Sequence, residues 1–260
     1  DDDGGVWDAS KSGAPADACS CSLLRDADGR LRKPKRLFKA QGVALRSEAV
    51  LDVLRLPAIA ALARSLAHIA PSEDLDVFGT KYFPVHAGTI GSVGWHDDNY
   101  YFGTTRSRTI SCAVYLSGTE QRRGNLRVVP GSHLDDEVGE QRAAHYRPSV
   151  EQGGEFIPDD VVCSARLTGA TRVPLEVEVP PGSAVLFDAN LLHAVRPNDA
   201  ADGAPSERVA FHFIPGLHGS EFRGTSFARG DFADRHLASP AAMPSAADSP
   251  AERGSKRRKR

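Results

Sequence analysis

Cysteine is scarce in this 260-residue chain, and the four present (Cys19, Cys21, Cys112 and Cys163) are too few for a disulfide framework in so long a sequence. Cys19 and Cys21 form C-x-C, which is neither the C-x-x-C of a zinc knuckle nor that of a redox pair. Four free thiols and a reducing compartment are the expectation. No apolar run approaches the roughly 18–20 residues that span a bilayer, and the acidic start, Asp1-Asp2-Asp3-Gly4-Gly5, lacks the basic and apolar regions of a signal peptide. A membrane partner is therefore not expected, and a cytoplasmic location is. Charge of one sign is also lacking. The net charge of -2 leaves the chain as a whole without an electrostatic footprint for nucleic acid, which is not the expected partner. There is no internal repeat, and the histidines show no H-x-H.

The two ends differ from the middle. Residues 1–33 are rich in Asp, Gly, Ser and Ala without an apolar period and read as a disordered lead-in. Residues 239–260 are rich in Ala, Pro and Ser and finish Lys256-Arg257-Arg258-Lys259-Arg260, which reads as a disordered basic tail. That run is a solvated tail or a nuclear address. The folded domain is expected over 34–238. Within it, Val50, Val53, Leu54, Ile59, Leu62 and Leu66 have helical spacing across Ser47 to Ala70, with a break near Pro57. After Pro71, short apolar runs alternate with Gly, Pro, Asn and Ser. Thr109–Leu116, Asn125–Val129, Ser183–Phe187 and Arg208–Ile214 read as strands of a β-sandwich or open barrel. The class is mainly β with flanking helices (α+β), the helices bracing one side of a double sheet.

Chemistry concentrates in Trp95-His96-Asp97-Asp98-Asn99-Tyr100. In an extended segment residues i and i+2 share a side, so His96 and Asp98 can converge on one metal ion. His193, after the turn Pro180-Pro181-Gly182 and an apolar strand, is the candidate second imidazole. Two histidines and one carboxylate on one face of an octahedron leave three positions open, the arrangement of non-haem iron(II) oxygenases. An isolated H-x-D means little. Arg208 adds weight, because a guanidinium entering the apolar strand Arg208-Val209-Ala210-Phe211-His212-Phe213 needs an anion. Its planar fork suits a carboxylate such as the far end of 2-oxoglutarate, unless Glu207 or Asp188 takes it in a structural ion pair.

Trp95-His96-Asp97-Asp98, the run Gly124-Asn125-Leu126-Arg127-Val128-Val129-Pro130-Gly131-Ser132-His133-Leu134, the stretch Leu186-Phe187 to His193, and Arg208 together resemble the phytanoyl-CoA dioxygenase family, over roughly Phe38 to Pro215. The resemblance implies a double-stranded β-helix (jelly-roll) fold and an Fe(2+) and 2-oxoglutarate-dependent dioxygenase. Such an enzyme hydroxylates a small-molecule or lipid-like substrate with dioxygen and releases succinate and CO2. It implies His96, Asp98 and His193 as iron ligands and Arg208 as the 2-oxoglutarate clamp, with no catalytic residue beyond the metal ligands. Asp97 departs from the Gln frequent in the family, and Arg196 is a rival clamp. Lys81 and Tyr82, on a preceding strand, are candidate cosubstrate contacts. Asn99, Tyr100, Tyr101 and Phe102 are expected to flank the entrance, His133 to pack near the site, and His212 to share a side with Arg208. A nucleic-acid demethylase would show a second Arg where Ile214 stands, and a prolyl hydroxylase a Lys in place of Arg208. A cupin-like metal-binding module without 2-oxoglutarate turnover remains the other alternative. Substrate identity and oligomeric state are not legible.

Overall fold

A computed structural model describes residues 20–23, 26, 28–31, 36–45, 47–87, 92–104, 108–134, 142–149, 154–162 and 173–215. The basic tail expected over 239–260 lies outside them, as do Cys19 and Cys163. Cys112 is a free, buried thiol, and burial pushes its pKa up to about 12.

The helical run forms two helices as expected, but Leu62 and Leu66 of the expected apolar stripe are exposed, and Ala60 and Ala63 are buried in their place. Ser47 accepts a hydrogen bond from the Val50 amide and caps α1 (Glu48–Leu54), and Pro57 opens α2 (Pro57–Leu66) at a position where its missing amide costs nothing. The apolar stripe of both helices (Leu54, Ile59, Ala60 and Ala63) packs onto one face of a sheet.

That sheet has six strands in the order β1-β2-β3-β12-β5-β10: β1 (Ser20–Leu23), β2 (Leu37–Gln41), β3 (Leu75–Val85), β12 (Ser206–Pro215), β5 (Ile110–Tyr115) and β10 (Ala184–Asp188). Opposite it lies a four-stranded sheet, β4 (Val93–His96), β11 (His193–Val195), β6 (Leu126–Val128) and β9 (Leu175–Val177). A small hairpin, β7 (Arg147–Ser149) with β8 (Gly154–Phe156), stands beside them. All strand pairs are antiparallel, and the chain passes from one sheet to the other at almost every step from β3 to β12. This is a double-stranded β-helix.

Alternation along the strands separates two environments. On β12, Val209, Phe211 and Phe213 face the helices in the largest core cluster, together with Ile110, Cys112 and Val114 of β5. Arg208, Ala210 and His212 face the other sheet. Between the sheets a second cluster of Phe38, Val85, Val93, Leu126 and Val195 closes one end of the sandwich. Gly94 on β4 stands so close to Phe156 that an added Cβ would lie 2.7 Å from the Phe156 Cβ. That contact presses β8 against β4.

One expectation fails. The disordered lead-in was drawn to residue 33, yet Ser20–Leu23 pairs with Leu37–Gln41 and extends the larger sheet. The pairing is non-local and adds an edge strand, so neither segment needs the long apolar run that marks an isolated strand. Among the described residues no helix is long and apolar enough to cross a membrane.

Phe211→Ala, at a fully buried ring, is expected to lower stability by about 3–5 kcal/mol in urea denaturation. Leu62→Ala, on the exposed face of α2, is expected to stay within about 0.5 kcal/mol of the parent.

Candidate metal centre and its cavity

His96 ends β4 and His193 opens β11, and the two are direct partners across that antiparallel pair. Their ring centroids are 4.2 Å apart. Each ring is oriented by its own backbone. His96 Nδ1 lies 2.7 Å from the Gly94 carbonyl, and His193 Nδ1 lies 2.9 Å from the Leu191 carbonyl. A carbonyl can only accept, so each Nδ1 carries the proton and each Nε2 presents a lone pair to the interior. Asp98 opens α3 (Asp98–Phe102) behind the capping residue Asp97, which is extended and accepts from the Tyr100 amide at 2.7 Å. The helix start turns the Asp98 carboxylate back under the imidazoles, 3.6 Å from His96 Nε2 and 3.8 Å from His193 Nε2. One donor atom from each of the three lies within 4.8 Å of the others, close enough for one ion, and all three residues are buried.

The electrostatics suit a cation. Burial, and then the neighbouring His96, lower the His193 pKa to about 4, so it stays neutral and able to ligate. Burial acts against the Asp98 charge, and the Ser111 hydroxyl, donating to its carboxylate at 2.6 Å, favours the charged form.

Arg208 enters the same cavity from β12. It is 5% exposed, its guanidinium stacks 4.6 Å from the Phe83 ring, and its Nη1 has no hydrogen-bond partner among the described residues. Neither carboxylate that could have neutralised it does so. Glu207 faces outward and accepts from the Tyr82 hydroxyl, and Asp188 accepts from the Asn190 amide at 2.8 Å. Burial pulls the Arg208 pKa down, which measures the need for an anion. Tyr115 is its direct neighbour on β5, and the buried Tyr115 hydroxyl also has no hydrogen-bond partner among the described residues. Arg196, the rival clamp, pairs with Glu176 and does not line the cavity.

The cavity holds about 110 Å³, against roughly 10–15 Å³ for one water, so it is ligand-sized space rather than a packing gap. Lys81 lines it, with Nζ 5.6 Å from the Phe102 ring centroid. Tyr82, expected beside Lys81 as a cosubstrate contact, does not. Neighbouring residues on a strand point to opposite faces, and Tyr82 packs with the core under the helices. Of the four residues expected at the entrance, only Tyr101 lines the cavity. Tyr100 stacks on Tyr146 at 3.5 Å, Asn99 bonds to Thr104 and Asn190, and Phe102 is buried against Phe78. His212 lines the cavity on the side of Arg208. His133 is not among the three gathered donors. Arg127 stacks on Trp95 at 4.7 Å on the outer side, and Arg108, Arg122 and Arg123 pair with Glu73, Asp199 and Asp202. Arg106 lies outside the described residues.

Sequence reasoning missed Arg142, Tyr146, Ser111 and Tyr115. Arg142 is 2% exposed and ties three segments together. It donates to Asp97 at 3.2 Å, to the Asn190 carbonyl at 2.9 Å and to the Ser132 carbonyl at 2.6 Å. It thereby fixes the segments that carry Asp98 and His193, and it explains an Asp between the two metal-facing residues. Nothing in the sequence around Arg142 marks it. Ser111 and Tyr115 did carry a signal, two hydroxyls four residues apart and so on one face of the otherwise apolar strand Ile110–Tyr115.

Fold and site together define a double-stranded β-helix protein with two histidines and one carboxylate in its mouth. The model of the phytanoyl-CoA dioxygenase (PhyH) family matches residues 23–210, and the chain belongs to that family. It is 31% identical over 157 residues to the ectoine dioxygenase of Nocardia farcinica, covering 56% of this chain and 49% of that protein. The ectoine dioxygenase of Stutzerimonas stutzeri is 33% identical over 107 residues, 40% of this chain and 33% of its own. The chain thus spans a third to a half of the length of these curated relatives. Among solved structures, the epimerase SnoN in complex with Fe3+, alpha ketoglutarate and nogalamycin RO aligns with TM-score 0.56 and 18% identity, over 80% of this chain and 72% of that one. EctD from S. alaskensis with 2-oxoglutarate and 5-hydroxyectoine aligns with TM-score 0.51 and 20% identity, over 73% and 61%. These likenesses bear on the fold.

Arg142→Met leaves the buried Asp97 carboxylate without its cation and is expected to cost about 3–5 kcal/mol in urea denaturation. Adding Asp97→Asn to that variant is expected to recover part of the loss.

Proposed function

We propose that this chain is an Fe(2+) and 2-oxoglutarate-dependent dioxygenase that hydroxylates a small-molecule substrate, with His96, Asp98 and His193 as the iron ligands and Arg208 as the 2-oxoglutarate clamp. The observation that carries the reading is a buried guanidinium, its Nη1 without a hydrogen-bond partner among the described residues, in the same cavity as two Nε2 lone pairs and a carboxylate. A metal-binding module without 2-oxoglutarate would account for the three ligands but would leave Arg208 buried without a counter-charge. Family membership and the ectoine dioxygenase relatives support the same activity.

The residues fit the absent groups. Both imidazoles turn an Nε2 lone pair inward beside the Asp98 carboxylate, and the Nη1 of Arg208, without a hydrogen-bond partner among the described residues, calls for an anion. When bound, iron(II) with 2-oxoglutarate and dioxygen supplies oxidative decarboxylation to succinate and CO2 coupled to insertion of oxygen into a C–H bond. The protein's part is placement. His96 and His193 are locked in their tautomers by the Gly94 and Leu191 carbonyls. Arg208 pairs with the far carboxylate of the cosubstrate, and Tyr115 stands beside it to donate a hydrogen bond. Lys81 adds positive charge on the same wall. Phe38, Phe83, Phe156 and Phe187 make the remaining wall apolar and keep water from the reacting bond. A cytoplasmic location belongs to the same reading.

Anaerobic titration of the apoprotein with iron(II) and 2-oxoglutarate tests it. The weak visible charge-transfer band of the chelate is expected in the parent and absent in His193→Ala. Arg208→Ala removes the partner of a buried carboxylate, a loss of about 2–5 kcal/mol, so half-saturation is expected to need at least roughly thirtyfold more 2-oxoglutarate. Iron bound to the parent without any band would overturn the 2-oxoglutarate reading.

A further inference from the structure

We infer that Ser111 and His212 form a buried hydrogen-bond relay that holds the Asp98 carboxylate to a single coordinating oxygen, so that they act as positioning residues for the metal. The inference rests on the iron reading above and concerns residues that the reading leaves without a task.

Ser111 lies on β5 between two strands, opposite Phe187 on one side and opposite His212 on the other. Its hydroxyl donates to Asp98 Oδ2 at 2.6 Å. A hydroxyl has one proton, and a short bond to a carboxylate uses it. The contact of 3.1 Å between Ser111 Oγ and His212 Nδ1 must then run the other way, with the imidazole donating. The direction of the whole relay is fixed by this step. His212 Nδ1–H donates to Ser111 Oγ, and Ser111 Oγ–H donates to Asp98 Oδ2. His212 Nδ1 also stands 3.8 Å from Asp98 Oδ2, close enough to bias the carboxylate but not to bond it.

The fold makes room for this imidazole at some cost. The pairing of β12 with β3 slips between Ala210 and His212, which bulges β3 at Gly79. Gly79 has φ +64, and a Cβ there would lie 3.1 Å from His212 Cδ2. Phe78 and Phe102 hold the other sides of the ring, at centroid distances of 5.3 Å and 4.6 Å. Among the described residues His212 Nε2 has no hydrogen-bond partner, and Nδ1 is the ring atom that the relay engages. His212 is boxed in with its donor aimed at Ser111, and Ser111 can reach only one carboxylate oxygen.

The consequence lies in coordination. With Oδ2 engaged by the serine, Asp98 would hold a metal through Oδ1 alone, which would leave three positions for other ligands. Without the serine hydroxyl, both oxygens are free to bind, and one of the open positions is lost.

Cobalt(II) is the probe, because it reports affinity by competition with a chelator and coordination number by its visible bands, with no turnover required. Ser111→Ala is expected to weaken cobalt binding roughly 10–100-fold and to change the band intensities. His212→Phe keeps a ring of similar shape but no donor, and is expected to weaken binding about tenfold. Ser111→Thr and His212→Gln restore a hydroxyl and a donor, and are expected to return the parent spectrum, which general loosening of the fold would not allow. Should Ser111→Ala fail to fold by circular dichroism, the His212 pair decides. Cobalt binding and spectra within about twofold of the parent in Ser111→Ala or His212→Phe overturn the relay while the iron reading stands, provided His193→Ala abolishes binding. Cobalt binding unchanged in His193→Ala overturns both.

Discussion

Two imidazoles are held opposite one another across an antiparallel strand pair, both buried, each with its Nδ1 proton tied to a carbonyl and its Nε2 lone pair turned inward, where it can meet a cation. The pairing of β4 with β11 sets this condition, and much of the surrounding structure serves it. Asp97 caps the helix that swings Asp98 under the imidazoles. Arg142 clamps the Asp97 segment to the segment that ends in His193. The larger sheet brings Arg208, Ala210 and His212 to the facing wall of the same cavity. The helices on the far side bury the alternate residues of the same strands, so the core and the site are two faces of one alternation.

The arrangement separates two kinds of unsatisfied polarity. At one end three ligand atoms converge on a point suited to a metal. At the other, the Arg208 Nη1 and the Tyr115 hydroxyl lack hydrogen-bond partners among the described residues, and the guanidinium sits against the Phe83 ring. A molecule carrying a carboxylate at one end and a chelating group at the other would satisfy both. The rest of the cavity is largely aromatic, which suits a substrate held by shape and by exclusion of water more than by charge.

Much of this was legible from residues alone, and the reasons are specific. Helical spacing, Pro57 and Ser47 announced α1 and α2. The alternation in Arg208–Phe213 separated Arg208 and His212 from the core before any coordinates. The H-x-D unit and the distal His193 marked three side chains that the fold gathers, and the order of the motifs marked the family. What was not legible depends on contacts distant in sequence. Ser20–Leu23 is a strand because Leu37–Gln41 lies next to it. Arg142 matters because three chain segments meet there. Lys81 and Tyr82 are adjacent in sequence and could both bind the cosubstrate or support the sheet, but the strand's period of two gives Lys81 to the cavity and Tyr82 to the core. Ser111 was overlooked because a single serine in an apolar strand looks like a tolerated exception until His212 is seen across from it.

The central claim is that one metal ion and one cosubstrate carboxylate occupy the two unsatisfied ends of this cavity. The most direct test is a crystal structure grown with manganese(II) and 2-oxoglutarate, with the metal located by anomalous scattering. The account predicts a single strong peak bonded to His96 Nε2, His193 Nε2 and one oxygen of Asp98, with the far carboxylate of 2-oxoglutarate on Arg208 and the Tyr115 hydroxyl. A metal bound elsewhere, or 2-oxoglutarate seated away from Arg208, would contradict it.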